Sequence, residues 1–363
     1  MHGCCAVVSE LEVYKLMKVK FNREYIVFLV ISLTAAIIVG MRGNTNDTQD
    51  YYDVFKAINF LPITNPKEFY AATGMEIGFG WFAYVVNFFT SSSVVMFSIF
   101  SFINFWFIYK TTRLLEIHYI YSALLYLSSA YFFMQQFMQM RQGLAVSIVI
   151  FTLIWAMKKG FKLWQVLLLA IAFSLHQSAA ILIAFCGLFY LLRNTFLFNY
   201  KMHKITNWTI FFVFIVFFKY VLLGLLINLS SRLQSYADSD TYNEAISLFS
   251  LPNIRTFLIL MVLTYFSSVN LNKNVYFRLF IFLMFTALAI RVGFADFAIM
   301  SGRLSTAFSY VEIFALPMLL LDRFKIRARI AFILIVCLLQ IFITLGFQAP
   351  YLFEMYFEPL YTY

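Results

Sequence analysis

Charge is what this sequence has least of. Only 12% of its 363 residues are Asp, Glu, Lys or Arg, while 63% are hydrophobic and the mean hydropathy is +0.82. A water-soluble domain carries roughly 25% charged and 45–50% apolar residues, because its surface must be hydrated. That scarcity excludes a soluble domain of any size; helices whose solvent is lipid need no such charge. Cysteine is scarce too. Cys4 and Cys5 are adjacent, and Cys186 and Cys337 lie within apolar runs. They show no metal-ligand spacing and no disulfide framework, so they read as small apolar fillers or incidental thiols. There is no zinc signature, no glycine-rich phosphate loop and no dinucleotide fingerprint. No cofactor is therefore implied and nothing points to ATP; a reaction on an already activated lipid substrate would need none. No internal repeat, low-complexity segment or linker divides the chain.

What the sequence has in quantity is apolar segments. Candidate membrane segments are 25–41, 77–90, 94–109, 119–137, 143–157, 163–175, 177–192, 208–227, 254–269, 276–293, 304–321 and 329–347. Several fall short of the roughly 20 residues that a straight span needs. Residues 163–192 form one nearly continuous apolar stretch, too long for one ordinary span. It reads as two short helices meeting at Leu175-His176-Gln177. The expected fold is all-α, a polytopic transmembrane bundle of eleven or twelve segments with short outer-face loop helices. Residues 1–24 would be a cytoplasmic segment, 25–347 a single membrane domain, and 348–363 a tail on the outer face.

Orientation follows from the basic residues, which favour cytoplasmic loops. The net charge of +10 would raise the question of nucleic acid in a soluble protein, but here the Lys and Arg residues gather in short loops. The first segment follows Lys15, Lys18, Lys20 and Arg23 and has no small-residue cleavage site, which suits an uncleaved signal anchor. Lys110/Arg113, Lys158/Lys159/Lys162, Arg193/Lys201/Lys204, Lys273/Arg278 and Arg323/Lys325/Arg327/Arg329 then all belong inside. Left outside are 42–76, 136–142, the His176 break, 228–252, 291–303 and the tail, which holds Glu354 and Glu358 and no basic residue. One conflict stands. A single crossing should lead from 42–76 back to Lys110, yet two short apolar segments lie between. One of them must be re-entrant or part of a bent helix.

An ionisable side chain at membrane depth is costly, so each is a functional candidate. Arg141, in Met138-Gln139-Met140-Arg141-Gln142-Gly143, could grip a phosphate or carboxylate bidentately, or merely snorkel to headgroups. His176, in Ser174-Leu175-His176-Gln177-Ser178, breaks an apolar run. It could be a general base, a donor to a sugar, or the polar plug of a kink. Arg303 follows Arg291 and Asp296. Glu76 stands at the mouth of segment 77–90, and Asp50 in the loop before it; singly, such acidic residues are ordinarily just solvated. Together Arg141, His176, Arg303, Glu76 and Asp50 all fall on the outer side. Arginines, a histidine and carboxylates beside a membrane suit an anionic lipid-linked substrate. The arginines would hold a pyrophosphate, and a carboxylate or the histidine would activate a hydroxyl.

Four stretches in order carry a resemblance: Asp50-Tyr51-Tyr52 with Glu76-Ile77-Gly78-Phe79, Arg141-Gln142-Gly143-Leu144-Ala145, His176-Gln177-Ser178-Ala179, and Arg303 before Glu312 and Pro317. From about residue 25 to 321 the chain resembles the EpsG-like group of Wzy-type polysaccharide polymerases of the bacterial inner membrane. It departs from the family pattern in having Ile77 before Gly78 and Gln177-Ser178 after the histidine. The resemblance implies an enzyme that polymerises undecaprenyl-diphosphate-linked oligosaccharide repeat units for O-antigen, capsule or exopolysaccharide. Its expected partners are that lipid-linked substrate, membrane lipid, and chain-length regulator and flippase proteins, with no nucleic acid. Arg141 and Arg303 would stabilise the departing diphosphate, and His176, Glu76 or Asp50 would orient or deprotonate the attacking hydroxyl. A transporter or flippase is the rival class, disfavoured by the lack of repeats and by the gathering of charge on one face. A ligase would share the donor and the outer arginines.

Overall fold

The computed structural model describes residues 23–225 and 245–360. The expected cytoplasmic segment 1–22, with Cys4 and Cys5, lies outside the described residues, as do most of the outer loop 228–252 and residues 361–363. The described chain is helical, with no strand among the described residues. Its helices are α1 (Arg23–Gly40), α2 (Thr48–Ala57), α3 (Pro66–Thr73), α4 (Ile77–Phe89), α5 (Ser93–Leu115), α6 (Tyr119–Ser128), α7 (Ala130–Phe137), α8 (Met140–Lys159), α9 (Leu163–Leu175) and α10 (Ser178–Leu192). They continue as α11 (His203–Phe217), α12 (Leu251–Phe266), α13 (Val269–Lys273), α14 (Val275–Gly293), α15 (Ala298–Ser309), α16 (Glu312–Arg323), α17 (Ile326–Ile343) and α18 (Leu352–Phe357).

Six of the described helices are long and apolar enough to cross a bilayer: Arg23–Gly40, Ser93–Leu115, Met140–Lys159, His203–Leu225, Val275–Gly293 and Ile326–Gln348. A seventh passes as a broken pair, Met300–Ser309 with Glu312–Arg323, bent by 40°. The expected segment 304–321 is therefore two helices meeting at Tyr310–Val311. Segment 119–137 likewise breaks, at Ser129, where the backbone is extended. Burial divides the helices by their neighbours. α8 and α14 are mostly enclosed and form the core, whereas the His203–Leu225 and Ile326–Gln348 helices turn most of their surface outward. On those two, Phe212, Val213, Ile335, Leu338 and Phe342 are exposed, as a lipid-facing wall requires.

Polar bonds tie the core helices together where apolar packing alone would leave their rotation undetermined. The Ser147 hydroxyl donates to Asn104 Oδ1 at 2.6 Å, so the Tyr310 hydroxyl, 2.8 Å from Ser147, must donate to it. Asn104 in turn donates to the Tyr126 hydroxyl at 3.0 Å, and Gln136 donates to the same oxygen at 2.7 Å. α5, α6, α7, α8 and the α15–α16 break share this one buried network. Interhelical bonds of this kind specify which faces meet, because in lipid the apolar faces are nearly interchangeable.

The contacts sort the helix ends into two sets. At one end Arg113 pairs with Glu24, and Lys158 with Glu116 at 2.9 Å. The Ser268 hydroxyl meets Asp322 there at 2.7 Å, and Arg323 Nε donates to the Phe266 carbonyl at 2.6 Å. Leu115, Asn270, Asn274 and Asp322 line a single cleft that joins these groups. This is the end rich in lysine and arginine, which the positive-inside rule assigns to the cytoplasm. At the other end the Gly43 N–H donates to the Tyr356 carbonyl and the Asn44 N–H to the Glu358 carbonyl, both at 2.8 Å. The first outer loop and the tail are thus bound together on the less basic side.

The conflict over segments 77–90 and 94–109 resolves here. α5 is the crossing helix. It runs antiparallel to α1, with Arg113 at Glu24 below and Gly40 so close to α5 above that a Cβ would lie 2.6 Å from the Val94 carbonyl oxygen. α4 does not cross. It follows the outer-loop residues along its whole length. Trp81 Nε1 donates to the Ile63 carbonyl at 3.0 Å, Asn59 to Asn87 Oδ1 at 3.0 Å, and Lys56 to the Ser91 carbonyl at 3.2 Å. With α2 and α3 it forms an outer layer.

Candidate active site

The outer layer holds a few polar side chains against the ends of α8, α9 and α15. Glu76 immediately precedes α4, in extended backbone. Its position depends on Gly78: a Cβ there would lie 2.6 Å from both the carbonyl carbon and the oxygen of Ser174. Only a glycine lets the start of α4 press on the end of α9. Both Glu76 oxygens are engaged. Oε2 pairs with Arg141 Nη1, and Oε1 accepts the Gln177 N–H at 3.1 Å. The pair is largely shielded, with 10% of the Arg141 and 14% of the Glu76 side chain exposed, so water screens it weakly.

Arg141 lies in the first turn of α8. Its Nε donates to the Tyr51 hydroxyl at 3.3 Å, and its guanidinium stands 5.5 Å from the Tyr51 ring centroid. Tyr51 is fully buried on α2. Asp50, the preceding residue, is exposed, so consecutive positions of α2 send one side chain to Arg141 and the other outward.

His176 caps α9 in extended backbone, as its break in the apolar run predicts. Its Nδ1 accepts the Ser178 N–H at 3.2 Å, with the Ser178 hydroxyl at 2.8 Å. A backbone N–H can only donate, so the neutral ring carries its proton on Nε2. Among the three roles open from sequence, this tautomer favours the hydrogen-bond donor. Arg303 is half-buried in α15, and its guanidinium has no hydrogen-bonding or ion-pair partner among the described residues. Its carbonyl accepts Gln142 Nε2 at 2.7 Å, which brings α15 against the first turn of α8.

Glu76, Arg141 and the His176–Gln177 turn therefore form one cluster, Arg303 adjoins it through Gln142, and Asp50 borders it on α2. A second polar cluster was not foreseen from the sequence. Glu312, almost completely buried, receives Arg255 at 2.5 Å, the Tyr131 hydroxyl at 2.8 Å and Gln340 at 3.0 Å. Arg255 inside the apolar segment 254–269 was a legible signal, an ionisable residue within a span. Among the described residues no three His, Cys, Asp or Glu side chains converge as metal ligands would.

Comparison with family models matches residues 25–358 to the EpsG family. No curated protein and no solved structure matches the chain.

Proposed function

We propose, from the premise that this chain belongs to the EpsG family, that it polymerises undecaprenyl-diphosphate-linked oligosaccharide repeat units at the outer face of a bacterial inner membrane. The observation that carries this reading is the convergence of Arg141, Glu76, the His176 turn and Arg303, unpaired among the described residues, at the less basic end of a membrane bundle. A hydroxyl of one lipid-linked unit attacks the anomeric carbon of the glycan on another carrier. The new glycosidic C–O bond forms as the bond to the diphosphate breaks, and the diphosphate leaves with the bonding pair. Negative charge grows on the leaving group, so a cation placed there lowers the barrier.

Arg303, which no acid neutralises among the described residues, is assigned to that diphosphate. Arg141 adds positive potential while Glu76 holds it in place; both Glu76 oxygens are engaged, so its role is positioning. His176 Nε2–H orients a sugar oxygen. The exposed Asp50 takes the proton of the attacking hydroxyl. The products are a glycan longer by one unit and a freed carrier diphosphate, with no nucleotide consumed.

Chain-length analysis of surface polysaccharide tests this. Arg303→Gln should leave the protein inserted and a single repeat unit present while abolishing the ladder of longer chains. An unchanged ladder would remove Arg303 from the reaction. Loss of even the single-unit product on deletion of the protein would indicate a ligase or flippase instead.

A further inference from the structure

At the outer end most arginines are already neutralised or sealed. Arg42 is buried, with its guanidinium 3.8 Å from the Phe97 ring centroid and bonds to the Gln136 carbonyl and Met140 Sδ. Arg141 is paired with Glu76, and Arg255 with Glu312. Besides Arg303, that leaves, among the described residues, Arg291, near the end of α14. Only its backbone carbonyl is used, by the Ser301 hydroxyl at 3.0 Å. Its Nε is shut off from solvent without a hydrogen-bond partner, whereas its two terminal nitrogens are not among the buried unpaired atoms. The side chain is thus only partly enclosed, and no acid pairs with it among the described residues.

Arg291 belongs to the second cluster, within electrostatic reach of Tyr131 and Arg255. Among the described residues that cluster holds two cations, Arg255 and Arg291, against one carboxylate, Glu312, whose oxygens are already taken by Arg255, Tyr131 and Gln340. Among those residues one positive charge is therefore left over where charge is costly to keep, which an arriving anion would balance. A guanidinium tip with two parallel N–H groups matches a phosphate oxygen pair. The spot is distinct from Arg303. Ser301 touches α14, and Arg303, two residues later, lies roughly 200° around α15, at about 100° per residue.

We propose that Arg291, backed by Arg255, binds a second polyprenyl diphosphate, separate from the one at Arg303. This rests on the polymerase reading. Moving a glycan from one carrier to a unit on another brings two diphosphates to the same leaflet at once, and each needs a cation.

The test is arginine labelling of the full-length protein in detergent with phenylglyoxal, read peptide by peptide by mass spectrometry. It is run alone, with farnesyl diphosphate, and with inorganic pyrophosphate, and polymer formation is assayed on the same preparation. Arg291 and Arg303 should label readily and each lose labelling several-fold with farnesyl diphosphate, while Arg141 and Arg255 label poorly throughout. Inorganic pyrophosphate at equal concentration should protect Arg291 much less. Equal protection by both would overturn the assignment to a lipid carrier, and no protection of Arg291 by either would overturn the site. Polymer formation without Arg291 protection removes the second site alone; Arg291 protection without polymer removes the polymerase reading and keeps a diphosphate site. Arg291→Gln should raise the half-saturating concentration of lipid-linked repeat unit tenfold or more with little change in kcat, and Arg291→Lys should recover part of it.

Discussion

Glu76 and Arg141 should behave as one energetic unit. Exposed ion pairs contribute about 0–1 kcal/mol, whereas removing one member of a buried pair costs about 3–5 kcal/mol because the other charge is stranded. With 10% and 14% of the two side chains exposed, this pair lies toward the buried limit without reaching it. Glu76→Gln keeps an oxygen for the Gln177 N–H and so removes chiefly the charge. Either Glu76→Gln or Arg141→Gln should then cost about 2–3 kcal/mol of stability. The double variant strands no charge, so it should cost about the same as either single, giving a coupling of about 2 kcal/mol. Unfolding of the four proteins in mixed micelles with increasing denaturing detergent measures it. If the two single losses simply add, the pair is not the element that fixes the outer layer to α8, and the account of the site's assembly fails.

Gly78→Ala should press the new methyl onto the Ser174 backbone, costing about 1–3 kcal/mol as overpacking does, and should loosen the His176 turn, read as faster hydrogen exchange at residues 174–178. Asn104→Ala strips partners from Ser147 and Tyr126 together and should cost about 1–3 kcal/mol for the buried groups left unpaired; an unchanged melting temperature would contradict the shared network. On the basic end, the hydrogen bond from Lys158, followed by its charge, holds the Glu116 carboxyl below its ordinary value. Its small contribution is therefore present above the ordinary glutamate range and disappears as pH falls through the lowered value. Glu116→Gln should flatten the pH dependence of stability across that acidic window and leave the slope near neutral pH unaltered, as melting temperatures measured over a pH series would report.

Much of the architecture was legible because long apolar runs and basic loops are local signals. The two short helices meeting at His176 emerge within a residue or two of the expected 163–175 and 177–192. α4 was ambiguous for a physical reason: its 13 residues, mostly apolar, fit a short crossing as well as a helix pressed under a loop. Only its partners Ile63, Asn59 and Lys56, distant in sequence, decide between them. That the candidate residues gather at the less basic end could be read from the distribution of Lys and Arg. That Arg141 is already claimed by Glu76, 65 residues away, could not, since pairing across helices leaves no mark in either neighbourhood. Arg255 and Glu312 show the same limit, as each stands within an apolar segment and gains its meaning only from the other.

The shortness of α9 and α10 has a consequence for the surrounding bilayer. Helices of 13 and 15 residues rise only about 20 and 22 Å at 1.5 Å per residue, against a hydrocarbon thickness of about 30 Å. Apolar side chains such as Leu167 and Phe173 face outward along α9, so a bilayer spanned by this helix alone would have to thin beside it. Such thinning would lower the headgroup plane beside the His176 turn. A lipid drifting into it would bring its headgroup level with the arginines while its tail stays in oil, so the mismatch itself would supply a doorway.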